Sequence, residues 1–430
     1  MSAPPSLPRK EVGATEHENR RAWTVTALLV VFMMVNFADK SVLGLAADEI
    51  RADLHLSATE FGLANSAFFL LFSVAAVAVG LAADRVSPKL LILLMALLWS
   101  VAQVPAAIGG GLAVLVASRV FLGAAEGPAF PVAQQATLAW FPNDRRNLPG
   151  AFITLGVTLG VIVSAPGLSW VIQHHGWRTA LWVLVAVGLV WAVAWAALGA
   201  DGRYGSGDRA GTTSGMTARQ LPSYGRIFAS RTWIGATLAY FTSYWTVALM
   251  LVWLPSYLRG PLGHSAGAAG TLVAAPWAIG AVVLLAQAGV TGRLMRRGVG
   301  SRYARGWVGG GLLAFGAACC LALPLVDGSG ALTVLVALGF GFGGSYATVA
   351  ATTVAELAPP ARSGGALGVM NALVTVAGLA APAVVGALVD AQGADGYRSA
   401  VLLAGLLLAA GATASFCCVD PDRDTARLTR

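Results

Sequence analysis

Four charged side chains, Asp39, Lys40, Arg119 and Glu126, lie inside apolar runs long enough to cross a bilayer. A charge there costs at least a few kcal/mol, so such residues face a bundle interior or a water-filled path and mark ion or substrate routes. Arg119 and Glu126 are seven residues apart and therefore lie two turns along nearly one helical face. Their run and that of Asp39 cross in opposite directions. At ~1.5 Å per residue, Asp39 and Arg119 come to similar depth and Glu126 falls ~10 Å nearer the side of the termini. That predicts an Asp39–Arg119 ion pair with a second carboxylate further in. A buried carboxylate whose pairing changes with conformation also changes its proton affinity. Two carboxylates flanking one arginine therefore form a proton relay, or else a static ion network that locks helices together. Lys40 points about 100° away from Asp39 around its helix. It either faces a central cavity and neutralises an anionic substrate or snorkels to the membrane interface.

The elements that must position these residues are apolar helices. Of 430 residues, 57% are hydrophobic and 11% charged, against roughly 25% charged in a soluble domain. Nearly the whole length divides into apolar segments of about 20 residues, which gives an all-α membrane protein. The ten-residue alternation of a β-barrel is missing. Twelve spans are expected, the first over 24–46 and the fourth over 111–134. The net charge of +8 reflects topology rather than nucleic acid. Of the 28 Lys and Arg, 22 fall in the N-terminal tail, the even-numbered loops and the C-terminal tail, and four (Arg51, Arg178, Arg259, Arg398) in odd-numbered loops. The other two are Lys40 and Arg119. That bias places both termini in the cytoplasm, and the chain is expected in the cytoplasmic (inner) membrane.

Residues 1–23 read as a disordered cytoplasmic tail without a signal-peptide pattern. A Gly/Ser/Thr/Arg-rich linker over 201–227 separates an N-terminal six-helix bundle (24–200) from a C-terminal one (228–419), followed by a tail over 420–430. The bundles echo each other: Gly176-Trp177-Arg178-Thr179-Ala180 recurs as Gly396-Tyr397-Arg398-Ser399-Ala400, and Pro142, Arg145 and Gly150 as Pro359, Arg362 and Gly365. Such parallel repeats place substrate between the halves near mid-bilayer. Cys319/Cys320 and Cys417/Cys418 lack companions at metal-ligand spacing and read as small buried hydrophobes. No nucleophile triad, metal cluster or nucleotide loop points to an enzyme or to ATP-driven transport.

After span two comes G-x-x-x-D-R-x-x-x-K, carried by Gly80, Asp84, Arg85 and Lys89. It resembles the loop signature of the major facilitator superfamily, and the second-half counterpart Gly289-Val290-Thr291-Gly292-Arg293 has lost the acid. Asn36-Phe37-Ala38-Asp39-Lys40, the stretch Arg119 to Pro131 and Trp140-Phe141-Pro142 with Arg145 resemble the anion:cation symporter family, which includes proton-coupled carriers of sugar acids and other carboxylates. The resemblance implies a major facilitator fold of two pseudo-symmetric six-helix bundles. It also implies Asp39 and Glu126 as protonation sites, with Arg119 as their switchable partner. Lys40 stands where the family more often has arginine; it keeps the charge but loses the bidentate fork. Asn371 aligns with a span-eleven asparagine that binds substrate, and Tyr244 and Ser345 are neutral polar candidates beside it. Phe37 and Phe72 replace tyrosines of sugar-acid carriers, which suggests a less hydroxylated acid.

The expectation is a secondary transporter importing a carboxylate, a monocarboxylate or aromatic acid rather than a sugar acid, with protons by alternating access. It would work as a monomer, need no cofactor beyond the coupling proton, and have the lipid bilayer and a small organic anion as partners. A proton-coupled antiporter exporting drugs or metabolites is the rival reading. The partial Gly-Pro pattern around Gly160 and Pro166 in span five speaks against it.

Overall fold

The structure, a computed structural model, describes residues 16–82, 86–141, 147–202 and 222–428. Among these, twelve helices are long and apolar enough to cross a membrane. The first half contains spans one to six: Glu18–Leu45, Ala58–Ala76, Pro88–Ile108, Leu112–Leu138, Pro149–His175 and Trp177–Leu198. The second contains spans seven to twelve: Arg231–Val252, Ala266–Arg296, Arg302–Leu321, Ser329–Leu357, Arg362–Gln392 and Ala394–Cys418. With an even number of spans, both termini lie at one end of the bundle; the opposite end is called the far end below.

The halves repeat each other in their irregularities. Spans one and seven each continue at the far end into a short helix, Ala47–Asp53 and Leu254–Arg259. Spans four and ten are each broken in mid-course. Span four stops at Glu126 and restarts at Ala129, because Pro128 has no N–H to continue the ladder. Span ten stops at Gly343 and restarts at Ala347, with Ser345 in the break. Broken helices at membrane depth are tolerated only where they are buried in protein or line a cavity.

Glycines set how closely the first half packs. A Cβ on Gly123 or Gly127 would stand 1.7 Å from the carbonyl oxygen of Phe68 or 2.1 Å from that of Phe72. Gly156 and Gly160 of span five bring their backbone against Val30 and Met34 of span one in the same way. This small-x-x-x-small spacing is how helices approach without a hydrophobic driving force between them.

The halves meet at the far end. Both carboxylate oxygens of Asp390, in the last turn of span eleven, accept from the backbone of span two: Ala58 N–H at 2.8 Å and Thr59 N–H at 2.7 Å. Arg259 pairs with Glu49 at 2.8 Å and with Asp48 at 3.4 Å, and Ser256 hydrogen-bonds Asp48 at 3.1 Å. Gly44 lies against the Leu251 carbonyl, and Gly62 against that of Pro382. Midway along, Ser73 and Thr375 share a hydrogen bond of 2.5 Å. These contacts between the halves concentrate toward the far end. The bundle is closed at its far end.

Several boundaries differ from the sequence reading. Span one is already helical at Glu16, before the expected edge at 24. Tyr224–Phe228 form a short helix capped by Ser223, at the end of the stretch read as linker. The C-terminal tail contains the helix Pro421–Leu428, held by the buried carboxylate of Asp424, which accepts from Thr232 N–H at 2.9 Å and Thr232 Oγ1–H at 2.8 Å. All four cysteines are free; Cys319 and Cys320 are core residues, but Cys417 faces out of the bundle.

Candidate functional site

Asp39, Lys40, Arg119 and Glu126 are buried together between spans one and four, Asp39 completely and Lys40 to 8% exposure. Their pairing is not the one expected. The ion pair is Lys40–Glu126, with Nζ 3.0 Å from Oε2. Asp39 and Arg119 form none: the Asp39 carboxylate faces the uncharged Gln103 amide, and Nε and Nη1 of Arg119 make no hydrogen bond of standard geometry. The reason lies in side-chain direction. Side chains on a helix lean toward its N-terminus, and the long Lys40 stem runs back far enough for Nζ to bond Asn36 Oδ1, one turn below. That brings the ammonium to the level of Glu126. Asp39 and Arg119 share a depth at their Cα atoms, but the reach of the lysine side chain decides which charges meet. Lys40 is therefore buried and paired, and the snorkelling alternative does not hold.

Three phenyl rings enclose this pair. Lys40 Nζ stands 4.5 Å from the ring centre of Phe37, 5.7 Å from Phe72 and 5.8 Å from Phe68. The Arg119 guanidinium lies 4.8 Å from the Phe68 centre. Aromatic faces attract cations, so the rings compensate two charges that water cannot reach. Phe68 and Phe72 are the residues whose carbonyls abut Gly123 and Gly127. The glycine pair on either side of Glu126 thus sets the distance between the carboxylate and its cage.

The second half reaches this cluster through aromatic contacts. Phe37 meets Trp277 of span eight edge-on at 6.0 Å, and Phe69 meets Tyr244 of span seven at 6.1 Å. Tyr244, half-buried beside Tyr240, thus lies where the halves meet. Asn371 is exposed on span eleven, one turn before Thr375. Ser345 is buried, and its hydroxyl donates to the Gly341 carbonyl at 2.6 Å. Its O–H thus bridges back across the break in span ten, and its oxygen keeps acceptor lone pairs.

In the loop signature, Gly80 lies in the last turn of the span-two helix, and Asp84 and Arg85 lie outside the described residues. Lys89 opens span three. Its N–H donates to Asp201 at 2.8 Å and its ammonium to the Ala196 carbonyl at 3.2 Å, so it fastens span three to the end of span six. Pro142 and Arg145 also lie outside the described residues. Arg362 covers the Tyr224 ring at 4.5 Å.

The sequence reading gives Asn36 no role of its own and does not single out Phe68 or Gln103. Each carries a signal in hindsight. Asn36 precedes Lys40 by one turn, Phe68 precedes Phe72 by one turn, and Gln103 is an amide deep in an apolar run.

The sequence profile described as Major Facilitator Superfamily matches residues 29–382 and, in a second match, 301–429. The chain is 27% identical over 409 residues to a D-galactonate transporter of Escherichia coli O6:H1, covering 90% of this chain and 94% of the relative. It is 28% identical over 411 residues to a probable sulfoacetate transporter, SauU, of Cupriavidus necator, with 91% and 92% covered. A hexuronate transporter of Bacillus subtilis is 26% identical over 384 residues, with 88% and 90% covered. Among solved structures, a bacterial homologue of the human lysosomal transporter Spinster superposes with a TM-score of 0.78 at 17% identity, covering 95% of this chain and 98% of the other. A D-xylose–proton symporter gives 0.74 at 14% identity, with 92% and 98% covered. The fold, the broken helices and the profile agree: the chain is a transporter of the Major Facilitator Superfamily.

Proposed function

We propose that this protein imports an organic anion together with protons by alternating access, and that the anion is a sugar acid or a comparably small, strongly charged acid. The observation carrying the proposal is the Lys40–Glu126 pair, sealed in phenyl rings beside an Asp39 and an Arg119 that have no hydrogen-bonded ion partner. Charge balance supplies the coupling. With both carboxylates ionised the four side chains sum to zero. An incoming monoanion leaves the site at −1 unless one carboxylate takes up a proton, and an uncompensated charge in this setting is expensive. Protonation of Glu126 releases Lys40, and the substrate carboxylate takes its place on the ammonium. Asp39 and Arg119 form the second half of the relay. Tyr244 and Asn371 supply hydrogen bonds from the other half, as the halves rock about the site.

The relatives favour a sugar acid over the monocarboxylate or aromatic acid expected from Phe37 and Phe72. Two of the three named above carry galactonate or hexuronate by name, and the third sulfoacetate. The geometry supports this revision. The rings at 37 and 72 are turned to the Lys40 ammonium, so their missing hydroxyls bear on holding that charge rather than on the polarity of the substrate. With the basic loops cytoplasmic, the closed far end faces outward and the conformation is inward-facing.

The test is uptake of radiolabelled D-galactonate, a hexuronate, sulfoacetate and benzoate into proteoliposomes, with and without an inward proton gradient, for wild type and Glu126→Gln. Gradient-driven accumulation of a sugar acid by the wild type, lost in the variant, is the expected result. Accumulation of benzoate alone sinks the substrate class. Efflux of cationic or neutral compounds, with no anion accumulated, sinks the symport reading and favours the exporter.

A further inference from the structure

Gln103 has no role in the proposed cycle as stated, yet its amide is the neutral polar group that faces Asp39. It is 2% exposed, and neither Oε1 nor Nε2 makes a hydrogen bond of standard geometry. Asp39, Gln103 and Arg119 lie at one depth. Asp39 lies six residues, Gln103 five and Arg119 seven from the far-end terminus of its span, at Leu45, Ile108 and Leu112 respectively. At ~1.5 Å per residue that is about 8–11 Å. Three spans thus bring buried side chains with unpaired polar atoms to one place. Buried polar groups are otherwise satisfied almost everywhere in folded proteins. The charged groups facing Asp39 are Lys40 on its own span and Arg119 and Glu126 on span four. Span five packs along span one through Gly156 and Gly160, against Val30 and Met34, and places no charge there. Gln103 is what span three contributes.

We propose that Gln103 is a positioning residue for proton coupling, serving as the two-way hydrogen-bond partner of Asp39; the inference rests on the symport reading above. A primary amide carries donors and an acceptor, whereas a carboxyl group only accepts when ionised and also donates when protonated. One turn of the amide about its terminal bond presents NH2 to the carboxylate or C=O to the carboxylic acid. Gln103 can therefore satisfy Asp39 in both protonation states without moving a helix. Neither an apolar residue nor a fixed cation does that: the first serves neither state, the second only the ionised one. The amide also adds no charge to the neutral sum on which the coupling depends.

The test is pH-difference infrared spectroscopy of the purified full-length protein in detergent, with no substrate needed. The carboxylic C=O band of Asp39 is identified by its loss in Asp39→Asn. In Gln103→Met, similar in shape but unable to hydrogen-bond, that band is expected to move to higher frequency. The variant should also hold the Asp39 proton about tenfold more tightly, one pH unit in midpoint, because the ionised form has lost its donor. Gln103→Asn, which keeps the amide but shortens its reach, gives the same readout if the methionine variant does not fold. An Asp39 band unchanged in frequency and midpoint in these variants overturns the role of Gln103 and leaves the symport reading standing. If no band at any accessible pH is lost in Asp39→Asn, then Asp39 does not titrate, and the relay fails together with the inference built on it.

Discussion

Cutting the far-end latch should open the transporter outward, by an amount that follows from the contacts. Span two begins with four backbone N–H groups that no helix carbonyl can serve, and all four are accounted for. Ser57 N–H donates to Glu60 Oε2 and Glu60 N–H to Ser57 Oγ, the reciprocal arrangement of a capping box. The remaining two, Ala58 and Thr59, donate to Asp390 of the other half. When the halves part at this end, water must replace that carboxylate. Losing a capping side chain costs about 1 kcal/mol, and losing a negative charge at a helix N-terminus up to about 1 kcal/mol more. Asp390 is largely exposed, so we take about 1.5 kcal/mol in all, or roughly a tenfold rise in the ratio of outward-open to closed molecules for Asp390→Ala. Asp390→Asn keeps an acceptor and loses only the charge, worth about 0.5 kcal/mol or two- to threefold. Arg259 is 24% exposed and its partners Glu49 and Asp48 28% and 38%. At about 0.5 kcal/mol per partly exposed pair, Arg259→Ala gives roughly fivefold. The two sites share no partner, so Asp390→Ala with Arg259→Ala should approach roughly fiftyfold. Spin labels at Ala52→Cys and Asp395→Cys, in a background with the four native cysteines replaced by alanine, read the separation of the halves by pulsed electron resonance. The long-distance population should grow from the wild type through Asp390→Asn and Asp390→Ala to the double variant. Distance distributions that superimpose across this series refute the latch.

Four further outcomes follow from the packing and the charges. Gly123→Ala places a Cβ 1.7 Å from the Phe68 carbonyl oxygen, a backbone atom that cannot rotate away; it should cost at least about 1–3 kcal/mol and lower the melting temperature in detergent. Gly289→Ala, with open space around the added methyl group, should leave that temperature unchanged or slightly raised. Lys40→Met strands Glu126 without its partner, a loss of about 3–5 kcal/mol for a buried pair, and the same melt should show most of it recovered in Lys40→Met/Glu126→Gln. Asp424 is pushed up by burial, but hydrogen bonds from Arg423 and Thr232 outweigh that and hold it at about 2, below the usual carboxylate value of about 3.9. Its stabilisation of the helix Pro421–Leu428 is therefore complete above about pH 4 and lost as pH falls toward 2. Hydrogen exchange over 421–428 should rise across that window, and Asp424→Asn should show the faster exchange already at neutral pH.

What the sequence made legible, and what it did not, divides along one physical line. Length and apolarity determine that a segment crosses a membrane, because the bilayer has a fixed thickness and no water to satisfy a bare backbone. Twelve spans and two repeating halves were therefore readable from apolar runs. The positions of the four intramembrane charges were readable for the same reason, since a charge in such a run is costly enough to be conspicuous. Their partners were not, because pairing depends on where a long side chain ends rather than where it begins. Lys40 and Asp39 are adjacent in sequence, yet one reaches back a turn to Asn36 and Glu126 while the other turns to Gln103.

The two phenylalanines illustrate the same point in the opposite direction. Read as residue types, Phe37 and Phe72 are tyrosines stripped of hydroxyls and suggest an apolar substrate. In place, together with Phe68, they are the wall that keeps Lys40 and Glu126 dry. The cross-half cap by Asp390 was hidden more deeply still. An acid at the end of an apolar run reads as interfacial, and its partners Ala58 and Thr59 offer backbone groups that every residue possesses. A contact made by main-chain atoms leaves no mark in the side-chain alphabet on the side that donates. The far-end closure therefore had to be seen, while the charge that drives the proposed coupling could be read.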